Sequence, residues 1–355
     1  MATKLAVQEN RVITASGTPN IAFIKYWGKR GPNLPMNSSI SMTLDERLKT
    51  VTSVVFSSSL RSDEVFINGE KQELSGEASE KSLFIAKTLN HMRDMAGVDA
   101  HALIVSQNSF PTGSGIASSA SGGATLVYAL SHALNLGLSE REMSITARQI
   151  SGSACRSVIG GIAKWTRGNS ADGSDSYAIQ IVDKDYWPEL IDIIAIVDPS
   201  KKKVSSSVGH LETVRTSVLY KLRPEFAEQG VRVVEAAIRS RDFNTLATAV
   251  IRDSNNMHAT MLDTFPPIMY LTDTSREIMY SVQELNATSN KGNVAGYTFD
   301  AGANAHIITT QKDKQKVYEM LSTIHGVEST IEASSGSGPR LLKPEENLID
   351  AIRLK

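Results

Sequence analysis

Pro111-Thr-Gly-Ser-Gly-Ile-Ala-Ser-Ser-Ala-Ser-Gly122 stands at the mouth of a proline-free run of small and apolar residues, Ala117–Leu136. That run predicts a helix starting near Ala117. Its three glycines and four serines suit a loop whose backbone approaches an anion closely. The unpaired N–H groups and the dipole of the first helical turn would then face that anion. Hydroxyls at Ser114, Ser118 and Ser119 can donate to phosphate oxygens or hold a metal ion. The same residues would also make a flexible connector and an ordinary helix cap. The spacing is neither Gly-x-x-x-x-Gly-Lys-Ser/Thr nor a Gly-x-Gly-x-x-Gly run after a strand. The common NTPase loop and the dinucleotide fingerprint are therefore both absent.

Working outward, the order of elements predicts the fold class. Lys49–Phe56 and Glu64–Ile67 read as antiparallel strands, with Asn68-Gly69 as a hairpin turn. Glu80–Ala96 has helical spacing, and Ala102–Ser106 is a strand leading into the glycine/serine loop. Ser139–Ile150 reads as a helix with Ser139 as cap and Glu142 three residues on. Gly160–Trp165 and Tyr177–Val182 read as strands around a polar turn, and Leu190–Val197 as a buried strand. Beyond it, Val204–Thr216, Glu225–Ile238, Asp242–Met261 and Asp273–Glu284 are helical in period. Val294–Thr298, His306–Thr310 and Gly326–Ile331 follow as strands. Strands that come in adjacent pairs predict a two-layer α+β fold, not an alternating βα array. A change of texture near residues 185–200 sets the expected boundary, with one domain over 1–190 and a second over 191–355.

The 355 residues are 41% hydrophobic and 21% charged, with a net charge of −1, which is the balance of an ordinary soluble globule. That balance gives no expectation of nucleic-acid or membrane-surface binding. The single cysteine, Cys155, excludes an internal disulfide and a cysteine-rich zinc site, and fits a reducing compartment. Met1–Arg11 has no apolar block, and no run reaches the roughly 18 apolar residues of a membrane span. No signal peptide is expected.

Three further clusters bear on chemistry. In Asn20–Arg30 the cations Lys25, Lys29 and Arg30 sit beside Tyr26 and Trp27, followed by Asn37-Ser38-Ser39. Cations fenced by flat aromatic walls suit a polyanion; composition alone favours an edge strand with solvated lysines. In Ser151-Gly-Ser-Ala-Cys-Arg-Ser157, small residues leave Arg156 unshielded, free to grip a carboxylate or phosphate, or to stand exposed beside a capping turn. Cys155 has no histidine near in sequence and reads as a buried thiol. In Gly296–Asn304, Asp300 follows an apolar strand and precedes Ala-Gly, which by itself is the composition of a turn. The scattered His210, His258 and His306 do not make a zinc site.

Taken together, these clusters resemble diphosphomevalonate decarboxylases of the GHMP kinase superfamily. The likeness rests on Lys25-Tyr-Trp-Gly-Lys-Arg30, Asn37-Ser-Ser-Ile-Ser41 and Phe110-Pro-Thr-x-x-Gly-x-Ala-Ser-Ser-Ala120. Ser151-Gly-Ser-Ala-Cys-Arg-Ser157, the stretch Asp253–Tyr270 and Phe299-Asp-Ala-Gly-x-Asn-Ala305 complete it. It runs from about residue 13 to about residue 310. The resemblance implies a ribosomal-S5-like first domain and a ferredoxin-like second domain. It also implies a cytoplasmic homodimer or higher homo-oligomer, with a phosphorylated mevalonate as its small-molecule partner. Such enzymes use ATP and Mg²⁺ to phosphorylate the 3-hydroxyl of mevalonate 5-diphosphate, then release phosphate and CO₂ to give isopentenyl diphosphate.

By that resemblance Asp300 faces the 3-hydroxyl, Lys25 lies beside it, and Arg156 holds the substrate carboxylate. Ser151 and Ser153 support it, Tyr26 and Lys29 lie around the distal phosphates, and Ser207 belongs to Ser205–Ser207, which matches a serine/threonine loop that covers the site. Gly113, Ser114, Gly115, Ala117, Ser118 and Ser119 wrap ATP, with Ser118 or Ser119 serving the metal. The chain departs from the family pattern in a shortened loop after Arg30 and in Gly113-Ser114. It departs also in Asp300-Ala-Gly-Ala303 and in Ser207-Val-Gly-His210, where a Thr-x-Gly-Met pattern is usual. His210 reads as an exposed loop residue, with an added phosphate ligand as the alternative. The departures keep open relatives that act on mevalonate 5-phosphate, or on mevalonate 3,5-bisphosphate without consuming ATP. A plain GHMP small-molecule kinase and a non-catalytic GHMP-fold protein are further alternatives.

Overall fold

Why the helices begin and end where they do is readable in their caps. The computed structural model describes residues 10–31, 33–110, 118–197 and 204–353. Its helices are α1 (Glu80–Ala96), α2 (Ser118–Ala133), α3 (Glu140–Ile150), α4 (Ala154–Ser157), α5 (Ser206–Thr216), α6 (Arg223–Ser240), α7 (Phe243–Leu262), α8 (Asp273–Ala287), α9 (Lys314–Ser322) and α10 (Ile349–Arg353). Ser79, Ser139, Ser205, Asp242 and Thr272 each accept a backbone N–H of the first turn of the helix they open. Such caps are worth about 1 kcal/mol each. At Ser139 the predicted capping box with Glu142 is complete.

The strands form three main sheets. The first runs, in spatial order, Arg340–Leu341, Ile13–Gly17, Thr50–Ser57, His101–Asn108, Glu64–Ile67 and Glu70–Lys71. The second runs Ala178–Val182, Ile162–Trp165, Ser39–Thr43 and Asn20–Ile24. The third runs Ala295–Phe299, Ala305–Thr310, Leu190–Ile196 and Ser329–Ser334. Helices alternate with these sheets. One apolar cluster joins Ala15, Val54 and Ile104 of the first sheet to α1–α4 and to Ala163 and Trp165 of the second. Another joins Ile21, Phe23, Ile40 and Met42 on the second sheet's other face to α6, α7 and Ile194 and Ile308 of the third. A third cluster packs Ile191, Ile193 and Ile307 against α8 and α9.

Leu190–Ile196 shows the cause of this layering. Leu190, Ile194 and Ile196 face one cluster, while Ile191, Ile193 and Ala195 face the other. A strand covered by helices on both sides is apolar almost throughout; the one polar residue here, Asp192, is fully buried and pairs with His306 Nδ1 at 2.6 Å. Each of the strand's buried isoleucines contributes about 1.5–3 kcal/mol by leaving water.

The α+β organisation is the one expected, and the differences are local. Lys49–Phe56 and Glu64–Ile67 are strands but not partners, because His101–Asn108 lies between them, antiparallel to one and parallel to the other. The Asn68-Gly69 turn instead joins Glu64–Ile67 to Glu70–Lys71. Ile13–Gly17 and Ser39–Thr43 are strands the sequence reading passed over, and Asn20–Ile24 is the edge strand offered as one reading of Asn20–Arg30. The last segment returns to the first sheet, where Arg340–Leu341 pairs with Ala15 and Ser16.

Candidate active site

The site is built where four chain turns meet. Lys25 to Lys29 leave the end of strand Asn20–Ile24, Asp300 ends strand Ala295–Phe299, Ser151 to Arg156 bridge α3 and α4, and Ser205 to His210 open α5. These residues line one cavity of about 560 Å³, together with Ser119 in the first turn of α2 and Glu80 and Lys81 in that of α1. Ser118 lines a narrow adjoining slot with Lys81, Ile104, Ser106 and Asn108. Gly113, Ser114, Gly115 and Ala117 lie outside the described residues.

At the cavity's centre the Lys25 ammonium donates to Asp300 Oδ1 at 2.7 Å. Lys25 is 2% exposed and the Asp300 side chain 29%, so the lysine is locked and the carboxylate opens to the cavity. This settles the choice left open by composition: Asn20–Ile24 is an edge strand of its sheet, but Lys25 is not solvated. A second ion pair, fully buried, holds the Lys25 backbone. Asp253 Oδ2 accepts the Lys25 N–H at 2.7 Å, and Arg223 Nη2 donates to the Lys25 carbonyl at 3.3 Å. Arg223 and Asp253 pair with each other at 2.6 Å. Neither residue was singled out from the sequence; the signal available was Asp253 at the head of its family-like stretch.

Arg156 is buried, not exposed. Its Nε donates to Asn20 Oδ1 at 3.1 Å and Ser41 Oγ at 2.9 Å, and Nη1 to Ser39 Oγ at 2.6 Å. Its guanidinium lies 5.7 Å from the Trp165 ring centre. These partners are all uncharged, so they aim the guanidinium without cancelling its charge. Burial pulls its pKa below the ordinary arginine value, and Cys155, Asp300 and Tyr26 oppose that pull. Beside it, Ser151 Oγ lies 3.3 Å from Ser119 Oγ and 3.5 Å from Ser153 Oγ, a row of hydroxyls at the cavity wall. Gly152 between them touches Tyr26: an added Cβ would stand 2.6 Å from Tyr26 Cε1.

Tyr26 meets Trp165 edge to face with ring centres 4.6 Å apart, and its enclosed hydroxyl has no hydrogen-bond partner among the described residues. Burial raises its pKa, so the phenol stays protonated and can donate to a ligand. Lys29 Nζ donates to Ser207 Oγ at 3.0 Å. Its pKa is lowered by burial, against the opposing pull of Glu80. Arg30, by contrast, spends its guanidinium on the carbonyls of Pro35, Arg167, Gly168 and Ser170. It fixes a loop and does not join the cavity's cations.

His210 requires a correction. It is neither exposed nor in a loop: it sits in α5, 6% exposed, packed between Tyr26 and Trp27. Its Nδ1 accepts the Gly28 N–H at 2.8 Å. Burial, with the nearby Lys29 charge adding to it, holds its pKa well below 6.5. The sequence missed this because a lone histidine gives no periodic signal, and the residues that enclose it lie about 180 positions away. Among the described residues no group of three or more His, Cys, Asp or Glu is placed to hold a metal. No helix among them is long and apolar enough to cross a membrane.

This arrangement pairs an ionised lysine with an accessible carboxylate, sets a buried arginine and a hydroxyl row nearby, and adds a second lysine near the mouth. It can bind an anionic alcohol and act on its hydroxyl. Comparison with known proteins points the same way. A profile of diphosphomevalonate decarboxylase-like N-terminal domains matches residues 17–178, and one of mevalonate 5-diphosphate decarboxylase C-terminal domains matches residues 192–353. The diphosphomevalonate decarboxylase of Schizosaccharomyces pombe is 38% identical, the alignment covering 95% of this chain and 95% of the relative. The rat enzyme is 40% identical, over 85% of this chain and 78% of its own.

Among solved structures, the mevalonate diphosphate decarboxylase of Trypanosoma brucei superposes with a TM-score of 0.87 at 31% identity, covering 96% of this chain and 100% of its own. A structure of MDDEF in complex with MVAPP, AMPPCP and magnesium gives 0.83 at 35% identity, over 94% of this chain and 99% of that one. Two profiles that together span nearly all of the sequence, and relatives this similar along their length, agree with the residues gathered in the cavity: the chain belongs to the diphosphomevalonate decarboxylase family.

Proposed function

We propose that this chain is an ATP-dependent carboxy-lyase that converts mevalonate 5-diphosphate to isopentenyl diphosphate, phosphate and CO₂. The observation that carries the reading is the Lys25–Asp300 pair sharing one cavity with the buried Arg156. Asp300 orients the 3-hydroxyl and takes its proton as the phosphoryl group transfers; in a loose transfer the acceptor need not be a strong base. The Lys25 ammonium offsets charge on the incoming phosphoryl group. When the C–O bond then breaks, the proton passes from Asp300 to the departing phosphate, and the carboxylate so restored stabilises the positive charge that develops on the tertiary carbon. Arg156 holds the substrate carboxylate; the C–C bond breaks, its electrons form the new double bond, and CO₂ leaves. Ser151 and Ser153 steady that carboxylate, while Tyr26, Lys29 and Ser207 hold the 5-diphosphate.

ATP enters beside the first turn of α2, where Ser118 and Ser119 stand with the free N–H groups of a helix start. The Ser118 or Ser119 hydroxyl there suits a hard cation such as Mg²⁺, which keeps most of its shell from phosphate and water. Magnesium, when bound, neutralises charge on the nucleotide phosphates. The relative described with MVAPP, AMPPCP and magnesium supports the ATP-dependent reading over the ATP-independent one. A homodimer is part of the proposal, supported by exposed Val218, Leu222, Phe265 and Met269, an apolar surface of the kind a second copy covers. We further propose a domain boundary between strands Ala178–Val182 and Leu190–Ile196.

The test is to supply purified protein with mevalonate 5-diphosphate, mevalonate 5-phosphate and mevalonate 3,5-bisphosphate in turn, with and without ATP and Mg²⁺. Product from the diphosphate with ATP alone is expected. Product from the bisphosphate without ATP would reassign the substrate, and ADP without CO₂ would make the chain a plain kinase.

A further inference from the structure

The peptide group joining Trp27 to Gly28 is held by two side chains from another part of the chain. Its carbonyl accepts the Tyr220 hydroxyl at 2.7 Å, and its N–H donates to His210 Nδ1 at 2.8 Å. Gly28 has φ +89°, and a Cβ there would stand 1.7 Å from the Tyr220 oxygen. This is the point where the chain leaves strand geometry, so no sheet ladder fixes the peptide. The plane of this one peptide decides where its neighbours point: Tyr26 and Trp27 before it, Lys29 after it. The His210 ring fills the space between the first two, with centres 4.4 Å from Tyr26 and 4.3 Å from Trp27. One turn earlier on the same helix, Ser207 accepts from Lys29 Nζ.

We propose that His210 is a positioning residue for the substrate's diphosphate. Acting as a neutral acceptor, it fixes the Trp27–Gly28 peptide and so sets Tyr26 and Lys29 in the cavity, coupling α5 to the binding strand. The proposal rests on the reading of this cavity as the mevalonate 5-diphosphate site. Because Nδ1 accepts, the ring proton belongs on Nε2. Burial beside Lys29 keeps the imidazole neutral and able to accept.

Two substitutions separate positioning from packing. His210→Asn keeps an acceptor, Oδ1, at the place of Nδ1 while giving up the ring. His210→Met keeps apolar bulk between the aromatics and gives up the acceptor, leaving the buried Gly28 N–H unpaired. Positioning predicts that H210M raises KM for mevalonate 5-diphosphate between about fivefold and a hundredfold. The change in kcat should be much smaller, KM for ATP should hold, and H210N should recover most of the loss. A packing role predicts the reverse order, with H210M near wild type and H210N impaired, and that result overturns the proposal. ¹⁵N-histidine spectra of the wild-type protein give a readout independent of turnover and of whether either variant folds. An Nε2–H tautomer at His210 is expected, and an Nδ1–H tautomer contradicts the acceptor role. Wild-type protein that shows the Nε2–H tautomer but makes no isopentenyl product overturns the reaction reading and, with it, the diphosphate role of His210.

Discussion

Asp300 and Arg156 differ in what surrounds them, and the difference predicts two kinetic signatures. Asp300 meets the Lys25 ammonium and faces the cavity. Asp300→Asn keeps the size and removes the charge, so turnover should collapse while KM stays nearly flat, as for an interaction made in the transition state. General-base work alone accounts for about 10²–10⁴-fold; retention of more than about a tenth of wild-type turnover would make Asp300 a turn residue. Arg156 is held by Asn20, Ser39 and Ser41, and the proposed function has it grip a substrate carboxylate already present in the ground state. Arg156→Gln should therefore raise KM by the worth of a charge-assisted contact, about 1.5–3 kcal/mol, and slow CO₂ release as well. Steady-state kinetics with CO₂ trapping checks both. These residues stand out in the sequence because each lies in a local motif. Asp253 and Arg223 did not stand out, and His210 stood out only as a departure from the family pattern, because each bonds a backbone group of Lys25 or Gly28, and such pairing leaves no mark in a linear pattern.

At the level of elements, the segment after Asn20–Ile24 is held by α5, α6 and α7 through buried polar groups. Arg223 of α6 and Asp253 of α7 are 0% and 1% exposed. Asp253→Asn leaves a buried guanidinium without its counter-charge, so unfolding free energy should fall by about 3–5 kcal/mol. Urea unfolding measures it; a loss below about 1 kcal/mol would mean that water or another group compensates the charge. Helices were legible because caps at Ser139, Ser205 and Asp242 punctuate their period. Ile13–Gly17 and Ser39–Thr43 were not, and every residue in them is buried. Ser39-Ile-Ser-Met-Thr43 does alternate, but its polar side chains are buried against Arg156 and the Ile159 carbonyl, partners more than a hundred residues away that nothing local announces.

Across the whole molecule, buried neutral imidazoles predict how stability depends on pH. The pKa of His258 is lowered from 6.5 to about 4, by burial first; the Phe299 carbonyl opposes this and the Lys25 charge adds to it. Between those two values the unfolded chain binds the proton more readily than the folded one. Stability is therefore full above pH 6.5 and declines as pH falls toward 4, by ~3 kcal/mol across the window. His210 adds a decline of the same sign. In His258→Gln the difference in unfolding free energy between pH 7 and pH 4.5 should shrink by ~2 kcal/mol; an unchanged difference would show that His258 titrates alike in both states. The layers themselves were only partly legible, since nothing local told that His101–Asn108 separates Thr50–Ser57 from Glu64–Ile67. That order depends on contacts across the sheet, not on neighbours in the chain.

The central claim is that one cavity couples phosphoryl transfer from ATP to loss of the substrate carboxylate. Its most direct test gives the protein mevalonate 5-diphosphate labelled in the carboxyl carbon and counts labelled CO₂ against ADP in the same reaction. The account predicts one CO₂ for each ADP, and no CO₂ when ATP is withheld. ADP formed without CO₂, or CO₂ formed without ATP, would contradict it.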